Sequence, residues 1–380
     1  MSKRGDLGRV VVIGGNGFLG HHIINLALTQ WTTTSITSID LRCQNNRNPS
    51  AAYHECDITN SDRLQSLLED LKPDVVIHTA SPTQGGETTN AKELFKKVNV
   101  DGTQSVVQAC QAANVKALVY TSSASVISDN VNDLRNADER WPVIRGDQQN
   151  EYYSETKACP LFTTSPIRRK LTKRKAAAEE IVLAANRSPK LLTTSLRPAG
   201  IFGEGDVQTL HGFIKAYRTN KSHVQLGDNT NLFDFTYVGN VAHAHLLAAK
   251  ALLLTASSTT QPLDHEKVDG EVFIITNDSP CYFWDFARAV WKAAGNTAGT
   301  KGVWEFGKGT SLMLGTLSEI FFSIIRKPPT FTKVRATMAT MTRYYNITKA
   351  KSVLRYEPLW TLQEGVDRGV AWFLEQEKKA

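Results

Sequence analysis

Nowhere in these 380 residues do about eighteen apolar residues run together, the length a membrane-crossing helix needs. The start does not read as a secretory leader: Met1–Arg9 is polar, and Val10–Ile13 is far shorter than a leader's apolar core. Cysteine is scarce. The five thiols (Cys43, Cys56, Cys110, Cys159, Cys281) make no C-x-x-C pair and are odd in number, which fits reduced thiols in a cytosol-facing protein better than disulfides or a zinc site. No metal is expected, and no internal repeat is visible. Charge of one sign is scarce too, once its source is found. The net +7 arises in residues 158–175, which hold six cations and no anion, so the remaining chain is close to neutral and no nucleic-acid partner is expected.

What is present is an ordinary globular composition, 41% hydrophobic and 21% charged, long enough for one large domain or two moderate ones. The first 120 residues alternate short apolar runs (Arg9–Ile13, Ser35–Asp40, Ala52–Cys56, Val75–Thr79, Ala117–Thr121) with helical patterns near Gly17–Gln30, Ser61–Leu71 and Ala91–Ala113. Such alternation predicts an α/β fold, a Rossmann-like doubly wound parallel sheet covered on both faces. Asn60 or Ser61 should cap the second helix and Lys72-Pro73 close it. Leu191–Leu196 reads as a further strand, Leu254–Gln261 as a surface loop, and Leu362–Lys378 as a last helix. The expected division is a cofactor domain over 1–200 and a smaller, mixed substrate lobe over 201–380, with some elements interleaved.

The segment Val10–Gly20, VVVIGGNGFLG, places Gly14, Gly17 and Gly20 between a strand and a helix, the context a dinucleotide-binding turn requires. Gly14 permits the tight turn, Gly17 lets a pyrophosphate approach the backbone, and Gly20 allows helix and strand to pack closely. The helix N-terminus offers unpaired N–H groups to the phosphates. Asp40 ends the second strand, where a carboxylate accepts hydrogen bonds from the adenosine ribose and favours NAD. Arg42, two residues on, leaves NADP open.

Tyr153 and Lys157 form Y-x-x-x-K, a spacing that puts phenol and ammonium on one face of a helix. A free phenol has a pKa of about 10, and a cation within about 4–6 Å lowers it by roughly 1–3. Such a phenol can act as general base on an alcohol while a nicotinamide takes the hydride. Tyr152 competes as a phenol but has no lysine four residues on. The strand ending Tyr120-Thr121-Ser122-Ser123 precedes the pair and can supply a hydroxyl that orients the substrate oxygen.

GGNGFLG, Asp40, Asp57-Ile58, HTASP (His78–Pro82), Asn99–Thr103, YTSSAS, YSETK, LRPAGIFGEGD (Leu196–Asp206), Phe233–Ala244 and Arg343–Pro358 together resemble the extended short-chain dehydrogenases. Within these the chain is similar to the 3β-hydroxysteroid dehydrogenase family, and particularly to members that oxidise sterol 4α-carboxylates with loss of CO2. The resemblance covers nearly the whole chain outside 158–175. It implies that Tyr153 is the proton acceptor, Lys157 its pKa-lowering and ribose-binding partner, and Ser123 (or Ser122) the third catalytic member. It further implies that Gly14, Asn16, Gly17, Phe18, Leu19, Gly20, Asp40, Asp57, Ile58, Ala80 and Pro198 hold the NAD(P) beside Tyr153 and Lys157. The expected substrate is a sterol, steroid or triterpenoid alcohol, and the expected setting is cytosol-facing and peripheral on the endoplasmic reticulum membrane, with a homodimer as a further expectation. Two other readings stand beside it: a nucleotide-sugar epimerase or dehydratase using the same loop and pair, and a non-catalytic NAD-binding protein.

The pattern breaks at 158–175. YSETK would join Ala176–Arg187 as one helix, but eighteen residues containing Pro160 and Pro166 intervene, and proline breaks a helix interior. The stretch reads either as a translated intron or as a genuine surface loop. Ser311–Ile325 is apolar, interrupted by Glu319; it reads as a buried helix of the C-terminal lobe, or as an amphipathic segment on a membrane or at the mouth of a lipid pocket. His78 is expected to pack beside the cofactor, and Tyr237, His243 and His245 to be core or helix-face residues rather than substrate contacts. His21 and His22 need no function.

Overall fold

A computed structural model describes residues 3–82, 89–145, 178–325 and 331–379. Its first strand, β1 (Arg9–Ile13), shows why the fold begins as it does. Val10 and Val12 enter one hydrophobic cluster, while Val11 and Ile13 enter another on the opposite face. A strand covered on both sides needs apolar side chains at successive positions, hence a continuous run rather than alternation.

Strands β2 (Ser35–Asp40), β3 (Ala52–Glu55), β4 (Val75–His78), β5 (Ala117–Thr121), β6 (Leu134–Ala137), β7 (Leu192–Pro198) and β8 (Gly200–Phe202) follow. After them come β9 (Val224–Leu226), β10 (Leu232–Phe233), β11 (Phe235–Tyr237), β12 (Val272–Ile275), β13 (Cys281–Tyr282), β14 (Trp304–Phe306) and β15 (Arg343–Tyr345). The described helices of the first half are α1 (Phe18–Gln30), α2 (Ser61–Leu71), α3 (Thr89–Lys96), α4 (Thr103–Ala112) and α5 (Ala178–Ala184). Those of the second half are α6 (Thr209–Arg218), α7 (Val238–Ser257), α8 (Phe283–Ala293), α9 (Lys308–Ile324), α10 (Lys333–Thr340), α11 (Thr348–Val353) and α12 (Leu362–Lys379).

Seven strands form one sheet in the order β3-β2-β1-β4-β5-β7-β12, every neighbouring pair parallel. The order reverses between β1 and β4, so the loops leaving their C-terminal ends diverge and open a crevice, the usual ligand site of such sheets. A four-stranded mixed sheet, β13-β10-β15-β6, builds the second layer system. The sheets exchange elements: β12 from the later half completes the large sheet, and β6 from the earlier half joins the small one.

Local signals act as expected in the first half. The Asn60 side chain accepts from the Arg63 N–H and caps α2, and Lys72 ends it with a left-handed φ of 48°. Three expectations are corrected. The helix over Ala91–Ala113 is broken by a π-helical turn at Lys97–Gly102, where Gly102 lies so close to Ile58 that a Cβ would sit 2.7 Å from its Cδ1. Leu254–Gln261 is not all loop, because α7 continues through Ser257. The segment Ser311–Ile325 is helical but not buried: in α9 only Ser311 and Gly315 are enclosed. The reason is coverage, since α9 packs chiefly on α10 and one neighbour shields one side. No helix among the described residues is long and apolar enough to cross a membrane. Cys43, Cys56, Cys110 and Cys281 are free thiols, as expected, and Cys159 lies outside the described residues.

Candidate active site

The turn from β1 into α1 is built by three glycines. Gly14 has φ 84°, and a Cβ there would lie 2.7 Å from both the Ala80 N and the Thr79 Oγ1, which brings the ends of β1 and β4 into contact. The Gly17 N–H donates to Gly14 O at 3.0 Å and closes the turn. A Cβ on Gly20 would stand 2.1 Å from Gly14 O, so α1 lies directly against the loop. Gly17 caps α1 with no side chain, and the first N–H groups of the helix therefore await an anionic partner.

Asp40 reaches this loop because β2 lies beside β1. Its Oδ2 accepts from the Asn16 N–H at 3.0 Å and its Oδ1 from the Leu41 N–H at 2.7 Å. The buried Asn16 side chain accepts from Ser38 Oγ and donates to Asn45 O, both at 2.6 Å, so it braces the loop. Arg42 is exposed nearby in sequence. Asp57 is exposed and accepts from the N–H and hydroxyl of Thr59. Ile58 is buried against Gly102, Leu19 belongs to the core, Phe18 is half-buried, and Pro198 is buried at the end of β7. An open turn, an uncapped helix end and a carboxylate at the second strand together suit an adenine dinucleotide.

At the end of β5 the two candidate hydroxyls differ. Ser122 continues the sheet, its N–H donating to Leu196 O at 2.7 Å, and its buried hydroxyl faces Glu179. Glu179 is paired inside the protein with Arg197, at 2.6 and 3.0 Å, and accepts from Ser195 Oγ at 3.1 Å. Burial pushes the Glu179 carboxyl up, but Arg197 and the two serine hydroxyls outweigh it and hold the group below its usual value. Ser123 is half-buried and contacts Ser125, whose N–H donates to Ser123 Oγ at 3.2 Å. Of the pair, Ser123 is the one not enclosed with Glu179. Tyr152, Tyr153, Lys157 and the stretch 158–175 lie outside the described residues.

Histidines support the same edge. His245 donates from Nδ1 to Val241 O, which leaves Nε2 to accept from Thr121 at 2.8 Å. Burial pushes its pKa down to about 4, so it is neutral near pH 7. His78 is buried, with Nε2 3.0 Å from Thr103 Oγ1. His243 is buried beside the Tyr356 ring, and Tyr237 shares its hydroxyl with Glu204 and Arg368. His22 contacts Glu204 O and His21 contacts Gly17 O. Sequence reasoning missed the Glu179–Arg197 pair and the Thr121–His245 bond. A signal existed for the first: Arg197 stands in an otherwise uncharged strand, where a cation needs a buried partner. Among the described residues no cluster of His, Cys, Asp or Glu could hold a metal.

Comparisons with known proteins agree with this geometry. Solved structures share the fold at low identity: UDP-glucuronic acid 4-epimerase from Bacillus cereus in complex with NAD has a TM-score of 0.67 and 19% identity, over 97% of this chain and 99% of that one. UDP-glucose 4-epimerase from Thermotoga maritima has a TM-score of 0.65 at 19% identity, over 97% and 99%. Sequence relatives are much nearer. The sterol-4-alpha-carboxylate 3-dehydrogenase, decarboxylating, of Candida albicans is 39% identical over 379 residues, 97% of this chain and 99% of the relative. The human protein of that name is 34% identical over 367 residues, 96% and 88%. The model of the 3-beta hydroxysteroid dehydrogenase/isomerase family matches residues 11–160 and 162–306. With the glycine turn, the parallel sheet and this extent of similarity together, the chain belongs to the 3-beta hydroxysteroid dehydrogenase/isomerase family.

Proposed function

We propose that this protein oxidises the 3β-hydroxyl of a sterol bearing a 4α-carboxylate, with NAD(P) as oxidant, and that the product loses CO2. The observation that carries the proposal is identity of 34–39% over nearly the full length of yeast and mammalian proteins that share that activity in their names. Bound between the glycine turn and Asp40, the cofactor would supply a nicotinamide that accepts hydride from C3. The chain's own residues do the rest. Tyr153 takes the hydroxyl proton, Lys157 keeps the phenol acidic enough to do so, and Ser123 holds the substrate oxygen. The Gly14, Gly17 and Gly20 backbone seats the pyrophosphate, and Asp40 receives the ribose, with Asn16, Phe18, Leu19, Asp57, Ile58, Ala80 and Pro198 forming the surrounding wall.

The reaction balances. A CH–OH becomes C=O as two electrons and a hydrogen leave as hydride and one proton goes to Tyr153. In the resulting β-keto carboxylate the new carbonyl accepts the electron pair released by CO2, and protonation gives a ketone. The division into a cofactor half, 1–200, and a substrate half, 201–380, belongs to the same proposal. So do a homodimer, a cytosol-facing position on the endoplasmic reticulum membrane and lipid contact through 311–325, which the exposed apolar side of α9 supports.

The test is incubation with NAD+ or NADP+ and a 4α-carboxysterol, following reduced coenzyme and released CO2. Both products are expected from the parent, and Tyr153→Phe should lower the rate by about 10²-fold or more. Coenzyme reduction without CO2 would mean a simple alcohol dehydrogenase. A Tyr153→Phe protein as fast as the parent would overturn the catalytic assignment.

A further inference from the structure

We propose that α12 governs how tightly the coenzyme is held: Arg368, together with Tyr237 and Glu204, is a positioning group that fixes the first turn of α1 through His22. The proposal rests on the coenzyme seat proposed above and adds residues that lie outside it. It also gives a role to His22, for which the sequence offered none.

The argument begins with what α1 lacks. Its N-cap, Gly17, makes no side-chain bond, and its first turn carries no acidic residue. Leaving the first N–H groups to a phosphate forgoes the capping side chain that ordinarily fastens a helix start. Two imidazoles do the fastening instead. His21 donates from Nδ1 to Gly17 O at 3.0 Å. His22 reaches out of the helix, with Nε2 2.9 Å from Glu204 O; a carbonyl only accepts, so Nε2 carries the proton. The Phe18 and His22 rings meet edge to face, centroids 6.1 Å apart, so the same tie bears on Phe18. Burial, with a smaller push from His21, takes the His22 pKa down to about 4. The ring is neutral near pH 7, brings no charge to the phosphates and acts by position alone.

Glu204 can anchor His22 because its own turn is held from three directions. Within the turn, the Asp206 N–H donates to Gly203 O at 3.2 Å, and the Asp206 carboxylate accepts from the N–H groups of Gln208, Thr209 and Leu210 at the start of α6. From β11, the Tyr237 hydroxyl stands 2.9 Å from both Glu204 carboxylate oxygens. From α12, Arg368 Nε donates to Tyr237 Oη at 2.9 Å and to Glu204 Oε1 at 3.2 Å. Two glycines one helical turn apart let α12 come this close. A Cβ on Gly365 would lie 2.8 Å from Tyr237 Cγ, and one on Gly369 would lie 3.3 Å from the Gly203 backbone. The path from α12 to the glycine turn is thus continuous: Arg368 to Glu204, Glu204 to His22, and His21 beside it to Gly17.

The experiment is titration of NAD+ against the fluorescence of the full chain, without sterol, for the parent and its variants. Arg368→Gln should weaken NAD+ binding about fivefold, the low end for coupled positions because its side chain is 53% exposed. At saturating NAD+ its kcat and its KM for a 4α-carboxysterol should match the parent's, a split that general loosening of the fold would not give. Tyr237→Phe removes one hydroxyl and no charge, and should weaken binding in the same way. Normal binding by Tyr237→Phe beside a weakened Arg368→Gln would mean that Arg368 attracts the pyrophosphate through its charge, and would overturn the proposal. His22→Phe keeps an aromatic ring but loses the N–H. In that background Arg368→Gln should cost nothing more; a second full loss would show that the coupling bypasses His22 and would overturn the proposal too. NAD+ held equally by the parent and every variant would sink the proposal alone, whereas a parent that binds no NAD+ would sink the coenzyme seat itself.

Discussion

Asp234 stands between β10 and β11 almost wholly out of water. Its Oδ2 accepts from the Tyr345 N–H at 2.8 Å, while Oδ1 has no partner among the described residues. Burial, with a smaller push from Asp278, raises its pKa to about 7 against the opposing bond from Tyr345. An aspartate of the unfolded chain titrates near 3.9. The folded state therefore holds this proton more tightly, and its contribution to stability is complete below about pH 4 and is lost as pH rises through about 7. Asp234→Asn keeps an acceptor for Tyr345 and has nothing to ionise. The variant should melt several degrees above the parent at pH 8 and show little difference at pH 4, by calorimetry. A parent whose melting temperature is unaffected by the substitution at pH 8 would contradict this assignment. Residues of this kind are hard to read in sequence: what makes Asp234 unusual is the loss of water brought by distant elements. Gly14, Gly17, Gly20 and Asp40 were legible because turn chemistry and strand-end position are local. Glu179 was not, since Ser195 and Arg197 reach it from another element.

At the scale of elements, α1 depends on contact with the turn before it. A methyl on Gly20 would meet backbone atoms of Gly14 and Gly15, which cannot swing aside as a flexible side chain can. Gly20→Ala should shift α1 away from β1, destabilise the protein by about 1–3 kcal/mol and weaken NAD binding at least tenfold. Thermal melting and titration of NAD against protein fluorescence would check both, and unchanged affinity would show that the helix end does not carry the pyrophosphate. The early strands and α2 were legible because their apolar runs and caps are determined by neighbours in sequence. The π-turn at Lys97–Gly102 was not. It arises where Gly102 meets Ile58 and Asn99 accepts from Ser81 Oγ, contacts made across the fold. Likewise the apolar content of α9 pointed to burial, and only the placement of α10 shows which side is covered.

For the whole molecule, the two halves of the chain are not separable pieces. Without β12 the fully buried β7 becomes an edge, and without α7 one face of the central strands loses its cover. A fragment of residues 1–200 should therefore be insoluble alone, because long apolar edges pair with one another. Co-expression with residues 201–380 should recover soluble material. A monodisperse 1–200 fragment with a cooperative melt would show the opposite.

The late arrival of β12 has a consequence in the order of synthesis. A ribosome releases the amino terminus first, and domains generally fold as they emerge. Here the cofactor half leaves the exit tunnel long before Val272–Ile275 exists, so its sheet waits with one border open over a span of more than seventy codons. Nascent chains arrested between those lengths should be the ones that chaperones hold longest, and slowing elongation there would be felt as lost yield of active protein.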